Sequence, residues 1–172
     1  MNESGGIIRF LATAMGLYII WYLVYDQWIA VDGGLDKWLS ENVAYISGSL
    51  LSIFGYASSA NATTLSIDGY PLVRVGDSCN GLVLFALFGG FIIAYPGSWK
   101  AKLLYIPLGI LAIYFLNIIR VIALALNSLY SRNSLDFNHK YTFTFIVYAC
   151  IFGFWMYWVK RYAKSDKNAV TA

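Results

Sequence analysis

The sequence predicts an all-α polytopic membrane protein with four to five transmembrane helices and a short outer-face hairpin loop. Three observations carry that expectation. Of 172 residues, 59% are hydrophobic and only 12% are charged, where a soluble domain is about one quarter charged. Aromatic residues make up 18% of the chain, leaving too little polar surface to cover a globule. Apolar runs recur at lengths near the ~20 residues that one crossing of a bilayer requires. Soluble, disordered and fibrous classes are excluded on these grounds. Residues 1–172 read as a single integral membrane domain, with no repeat and no separate soluble part.

The first span is residues 7–25, in which Arg9 is the only charge. Trp21, Tyr22, Tyr25 and Trp28 look like an interfacial aromatic belt. No small-residue cleavage site follows, so the segment is expected to be retained rather than removed as a signal peptide. Residues 26–41 are polar and acidic. Residues 42–56 read as an interfacial or partly inserted helix, because Leu39, Val43, Ile46, Leu50, Ile53 and Phe54 recur at three and four. Residues 57–78 form an outer loop with a hairpin core. Thr64-Leu65-Ser66-Ile67 alternates, Asp68-Gly69 signals a turn, and Leu72-Val73-Arg74-Val75 follows. Three spans come next, at 81–95, 103–126 and 141–159, the first of them ending at Pro96-Gly97. Residues 160–172 form a polar tail.

Lysine and arginine near the span ends set the expected orientation. Lys100 and Lys102 lie between two spans, and Lys160, Arg161, Lys164 and Lys167 follow the last. Parity puts both groups on the cytoplasmic side of a cytoplasmic (inner) membrane. The loop carrying Cys79 and the segment 127–140 then face outward. The side of the N-terminus depends on whether residues 42–56 cross. The net charge of +3 is small, with no basic patch outside the tail, so no nucleic-acid partner is indicated.

Two cysteines, Cys79 and Cys150, are too few for a disulfide framework. One histidine, His139, excludes multi-histidine zinc patterns. Neither GxGxxG nor a Walker loop is present, and no metal or organic cofactor is called for. Cys79, Arg120 and His139 nevertheless converge by topology. Cys79 begins one span and His139 directly precedes another. Arg120 lies about 17 residues into the span opening at Leu103, roughly 26 Å along it. Because the hydrocarbon core is about 30 Å thick, that puts Arg120 level with Cys79 and His139 in the outer leaflet.

Each of the three has a chemical role open to it. A thiolate is a nucleophile, and a neighbouring cation favours that form. His139 has the chemistry to take the thiol proton and return it to a leaving amine. Arg120 has the charge to stabilise an oxyanion. Asn117, one turn earlier on the same face, is placed to hold the guanidinium. Structural readings stand beside these: Cys79 as a small core residue, Arg120 snorkelling to the interface, His139 as a solvated loop residue. Cys150 is expected to be a packing residue. The aromatic residues of the last span, including Phe152, Phe154, Trp155, Tyr157 and Trp158, are expected to face lipid. Asp136 or Asn138 either orients His139 or simply forms a turn.

Asp77-Ser78-Cys79-Asn80-Gly81 opening one span, Asn117-Ile118-Ile119-Arg120-Val121 late in the next, and His139 before the last resemble the exosortase/archaeosortase family. The upstream Ile67-Asp68-Gly69 hairpin fits as well. The chain looks like a compact member, with Asn80 where many members carry serine. The resemblance implies a membrane-embedded cysteine transpeptidase or peptidase. Its catalytic residues would be Cys79, Arg120 and His139, supported by Asn117, Asn80 and Gly81. It further implies that the substrates are exported proteins ending in a short motif, a hydrophobic span and a basic cluster, cleaved at the outer face of the membrane. The alternative is a non-enzymatic membrane scaffold, or an accessory subunit of a surface-export system.

Overall fold

The computed structural model describes residues 3–131 and 137–162. Three helical segments are long and apolar enough to cross a membrane: Gly5–Asp32, Trp99–Tyr130 and Asn138–Arg161. The first begins as helix α1 (Glu3–Val24), passes through a π turn at Tyr25–Ile29, and ends where Gly33 takes a left-handed φ of 64°. It therefore runs seven residues past the expected limit of 25. No polar loop intervenes, since α2 (Gly34–Ile53) starts directly after Gly33; the first segment takes Asp26 and Asp32, and α2 takes Asp36 and Glu41.

Helix α2 buries a different stripe from the one its apolar spacing suggests. Leu39 and Val43 are buried, but Ile53 and Phe54 are 77% and 74% exposed. The inner face is completed by the small residues Ser40, Ala44, Ser47 and Gly48, with Leu51. Their size lets a sheet approach closely. A Cβ on Gly48 would lie 3.2 Å from Leu65 Cδ1, and Ser58 Oγ donates to the Gly48 carbonyl at 2.7 Å.

That sheet has three antiparallel strands in the order β1 (Ser58–Asn61), β2 (Thr64–Ile67) and β3 (Tyr70–Arg74). The expected hairpin is present at Asp68-Gly69, where both residues have positive φ, 52° and 78°, the geometry of a two-residue hairpin turn. The third strand, β1, has no counterpart in the sequence reading, because Ser-Ser-Ala-Asn lacks the apolar alternation that marks strands. In β2 the alternation sends Leu65 and Ile67 inward. They join Val43, Ala44 and Leu51 of α2, together with Ile118, Val121 and Ala125, in one hydrophobic core.

The second core lies among α3 (Leu82–Ala94), α4 (Trp99–Tyr130) and α5 (Phe143–Arg161), and contains Phe88, Ile92, Ile113, Val147, Ile151 and Trp158. Helices α3 and α4 meet at Gly109, where a Cβ would fall 2.1 Å from the Phe88 ring. Helix α3 has 13 residues, about 20 Å, which is less than the ~30 Å core. Gly81 at φ 90° fixes its start and Pro96-Gly97 its end. Helix α4 is longer than expected at both ends, so Lys102 belongs to its first turn. There Lys102 is 6% exposed and donates to the Ile93 carbonyl at the end of α3, at 2.8 Å.

The last helix also departs from expectation. Trp158 is fully buried and stacks on Tyr162, and Trp155 stacks on Phe91 at 4.5 Å. Phe152 and Tyr157 remain exposed, at 59% and 54%. Where α2 gives way to the sheet, the Tyr56 hydroxyl meets that of Tyr130 at 3.2 Å. This hydrogen bond, with some burial, holds Tyr56 above the ordinary tyrosine range. Asp136 and the tail residues Lys164 and Lys167 lie outside the described residues.

Candidate active site

Cys79 closes a short 3-10 turn, Asp77–Cys79, that links β3 to α3. Within the turn its own N–H donates to the Gly76 carbonyl at 2.8 Å. Asn80 and Gly81 then start α3. The Asn80 side-chain oxygen accepts from the Leu82 N–H at 2.9 Å, satisfying one of the donors that a helix start leaves free. Gly81 adopts φ 90°, which side-chain-bearing residues rarely take. Cys79 itself packs at the edge of the core shared by α2, the sheet and α4.

Two distant segments reach the thiol. His139 lies in the π turn Asn138–Thr142 leading into α5, and its Nε2 is 3.3 Å from Cys79 Sγ. Thr144 Oγ1 donates to the His139 carbonyl at 3.1 Å and steadies that turn. Arg120 comes from α4 and directs a terminal guanidinium nitrogen to Cys79 Sγ at 3.9 Å. The three residues picked out in the sequence are thus brought together around one sulfur atom. Cys150 lies in mid-α5, separate from this cluster in the sequence and half-buried.

Asn117 departs from its expected partner. Its side-chain nitrogen donates to the Cys79 carbonyl at 2.6 Å rather than holding the guanidinium. Asn117 is fully buried, and among the described residues its side-chain oxygen has no hydrogen-bond partner. Arg120 Nε is likewise buried and without a partner among the described residues. Asn138 accepts from Thr142 at 3.0 Å, which is the turn-forming role.

A pocket of about 260 Å³ opens beside this cluster. Asp77, Gly81 and Arg120 line it on the thiol side. Val83 and Leu84 of α3 form one wall, and Thr144, Val147 and Tyr148 of α5 the other.

One residue near the site escaped the sequence reading. Asp36, in the first turn of α2, is 3% exposed, and its carboxylate accepts from the Asn80 side-chain nitrogen at 2.5 Å. In the sequence it is one acid among several in a polar stretch. Its only signal is its position just after a glycine pair that breaks the helix.

Comparison with known proteins adds the family. The family described as transmembrane exosortase (Exosortase_EpsH) matches residues 5–159, most of the chain. No curated protein matches, and no solved structure matches.

Proposed function

The chain belongs to the transmembrane exosortase family, and on that premise we propose that it is a cysteine transpeptidase or peptidase acting through Cys79, Arg120 and His139. Family membership makes it a multi-pass membrane protein related to the sorting transpeptidases. The observation that carries the finer reading is the contact of Cys79 Sγ with His139 Nε2 at 3.3 Å, with Arg120 at 3.9 Å. A nucleophile within reach of a base, beside a fixed cation, is the arrangement covalent acyl transfer requires.

His139 Nε2 takes the Cys79 thiol proton, and the sulfur attacks the scissile carbonyl. A C–S bond forms, and the carbonyl oxygen gains the negative charge that Arg120 stabilises. The protonated His139 gives its proton to the departing amine as the C–N bond breaks. A thioester on Cys79 remains; an incoming amine or water gives a proton to His139 as it attacks the carbonyl, the C–S bond breaks, and His139 returns that proton to the departing Cys79 sulfur. The pocket between α3 and α5 takes the side chain next to the scissile bond. The substrates are exported proteins ending in a motif, a hydrophobic span and a basic cluster. The span enters the bilayer beside the enzyme, and the sheet-bearing segment 57–78 reads the motif.

The site faces outward in this proposal, with Lys100, Lys102, Lys160 and Arg161 on the cytoplasmic side of the inner membrane. The test compares C-terminal peptides from cells carrying the wild type and cells carrying Cys79→Ala. Hydrophobic-and-basic tails should persist on exported proteins only in the variant. Identical peptide sets, with the variant stably inserted, would contradict the enzymatic reading and favour a scaffold.

A further inference from the structure

We infer that Asp36 is a positioning residue for the Cys79 nucleophile, acting through Asn80; this rests on the reading of Cys79 and His139 given above. The turn that carries Cys79 is three residues long, and neighbouring elements hold it from two sides. On one side, Asn117 grips the Cys79 carbonyl at 2.6 Å. On the other, the Asn80 side chain is fully buried and bonded at both ends. Its oxygen accepts from Leu82 N–H at 2.9 Å, and its nitrogen donates to Asp36 at 2.5 Å. The peptide joining Cys79 to Asn80 is therefore held by an amide from α4 and a carboxylate from α2.

Asp36 is itself buried, at 3% exposed. A buried carboxylate is costly unless its hydrogen bonds are made. Here the residue following the nucleophile supplies one, through the Asn80 side-chain nitrogen. Loss of the Asp36 side chain leaves the buried Asn80 nitrogen with the weaker contact to the Asp36 carbonyl, at 3.4 Å, and frees the Cys79 turn to shift. A shift of about 1 Å separates a nucleophile from its base enough to lower rates by about a hundredfold.

The test uses the full chain in detergent micelles with Cys150→Ser, and reads iodoacetamide alkylation of Cys79 by mass. The quantity measured is how far His139→Ala slows alkylation in each background, a double-mutant cycle. In the wild-type and Asp36→Asn backgrounds, which keep an oxygen facing Asn80, His139→Ala should slow alkylation about tenfold. In the Asp36→Ala background the same change should matter less than about twofold. Persistence of the full His139 dependence in Asp36→Ala would overturn the inference. If Asp36→Ala is not recovered folded, Asn80→Asp replaces it, since this removes the donor but keeps the oxygen for Leu82. Adding Asp36→Asn then restores a donor from the other side and should restore the His139 dependence; failure to restore it would overturn the inference. If His139→Ala has no effect in the wild type while Asp36→Ala slows alkylation, Asp36 still positions Cys79, and it is the role of His139 as base that falls. If neither changes the rate, the inference is wrong.

Discussion

Cys79 and His139 stand 60 residues apart in the chain, yet the thiol sulfur lies 3.3 Å from the imidazole Nε2. Neither residue lies in the body of a long helix. Cys79 ends a 3-10 turn and His139 sits in a π turn, each at the mouth of an apolar helix. The rigid helices α3 and α5 set the separation, and the short turns aim the side chains.

Asn117 is expected to be a strong structural and functional site. Asn117→Ala removes the donor to the Cys79 carbonyl and opens space in a buried position. A buried acceptor left unpaired costs about 1–3 kcal/mol. Thermal unfolding in detergent should show that loss, and tail cleavage should fall with it. A variant with unchanged unfolding and unchanged cleavage would mean that the Cys79 carbonyl finds another donor.

Gly81→Ala is expected to destabilise through the backbone. A methyl group there meets the Phe85 ring at 3.4 Å and Asn117 at 3.6 Å, ordinary contacts. The cost comes from φ 90°, about 1–3 kcal/mol for a residue with a side chain. Relief of that strain would rotate the Cys79 turn, so cleavage should fall more than unfolding alone explains. Comparison of cleavage per folded molecule measures this.

The pocket beside Cys79 is tested by filling it. Val83 is 41% exposed and lines one wall, so Val83→Trp adds volume without entering either core. Tail cleavage should drop at least about tenfold as the substrate side chain loses its seat. Alkylation of Cys79 by iodoacetamide, a much smaller molecule, should continue. Equal loss of both would mean that the tryptophan blocks the thiol rather than the substrate.

Much of the site was legible in the sequence because depth follows from helical rise. Arg120 could be levelled with Cys79 and His139 by counting residues along one span. The helix boundaries were less legible. Lys102 reads as a loop cation, but it folds back onto the Ile93 carbonyl and belongs to α4. Trp158 reads as a lipid anchor because aromatic residues serve both lipid and core; stacking on Tyr162 and a tilted contact with Tyr105 help bury it. Strand β1 lacks any apolar pattern and forms because β2 offers it a paired edge, from Ser58 opposite Ile67 to Asn61 opposite Thr64. Asp36 was invisible for a related reason. Its importance lies in a contact with Asn80 across 44 residues, which no local pattern encodes.

The central claim is that Cys79 forms a thioester with the substrate. The most direct measurement is the intact mass of the protein purified from cells that co-express a tail-bearing exported protein. The expected result is a fraction of chains carrying the substrate's acyl mass at Cys79, released by neutral hydroxylamine and absent from Cys79→Ser. Tail cleavage that proceeds in Cys79→Ser, or an adduct mapped to another residue, would contradict it.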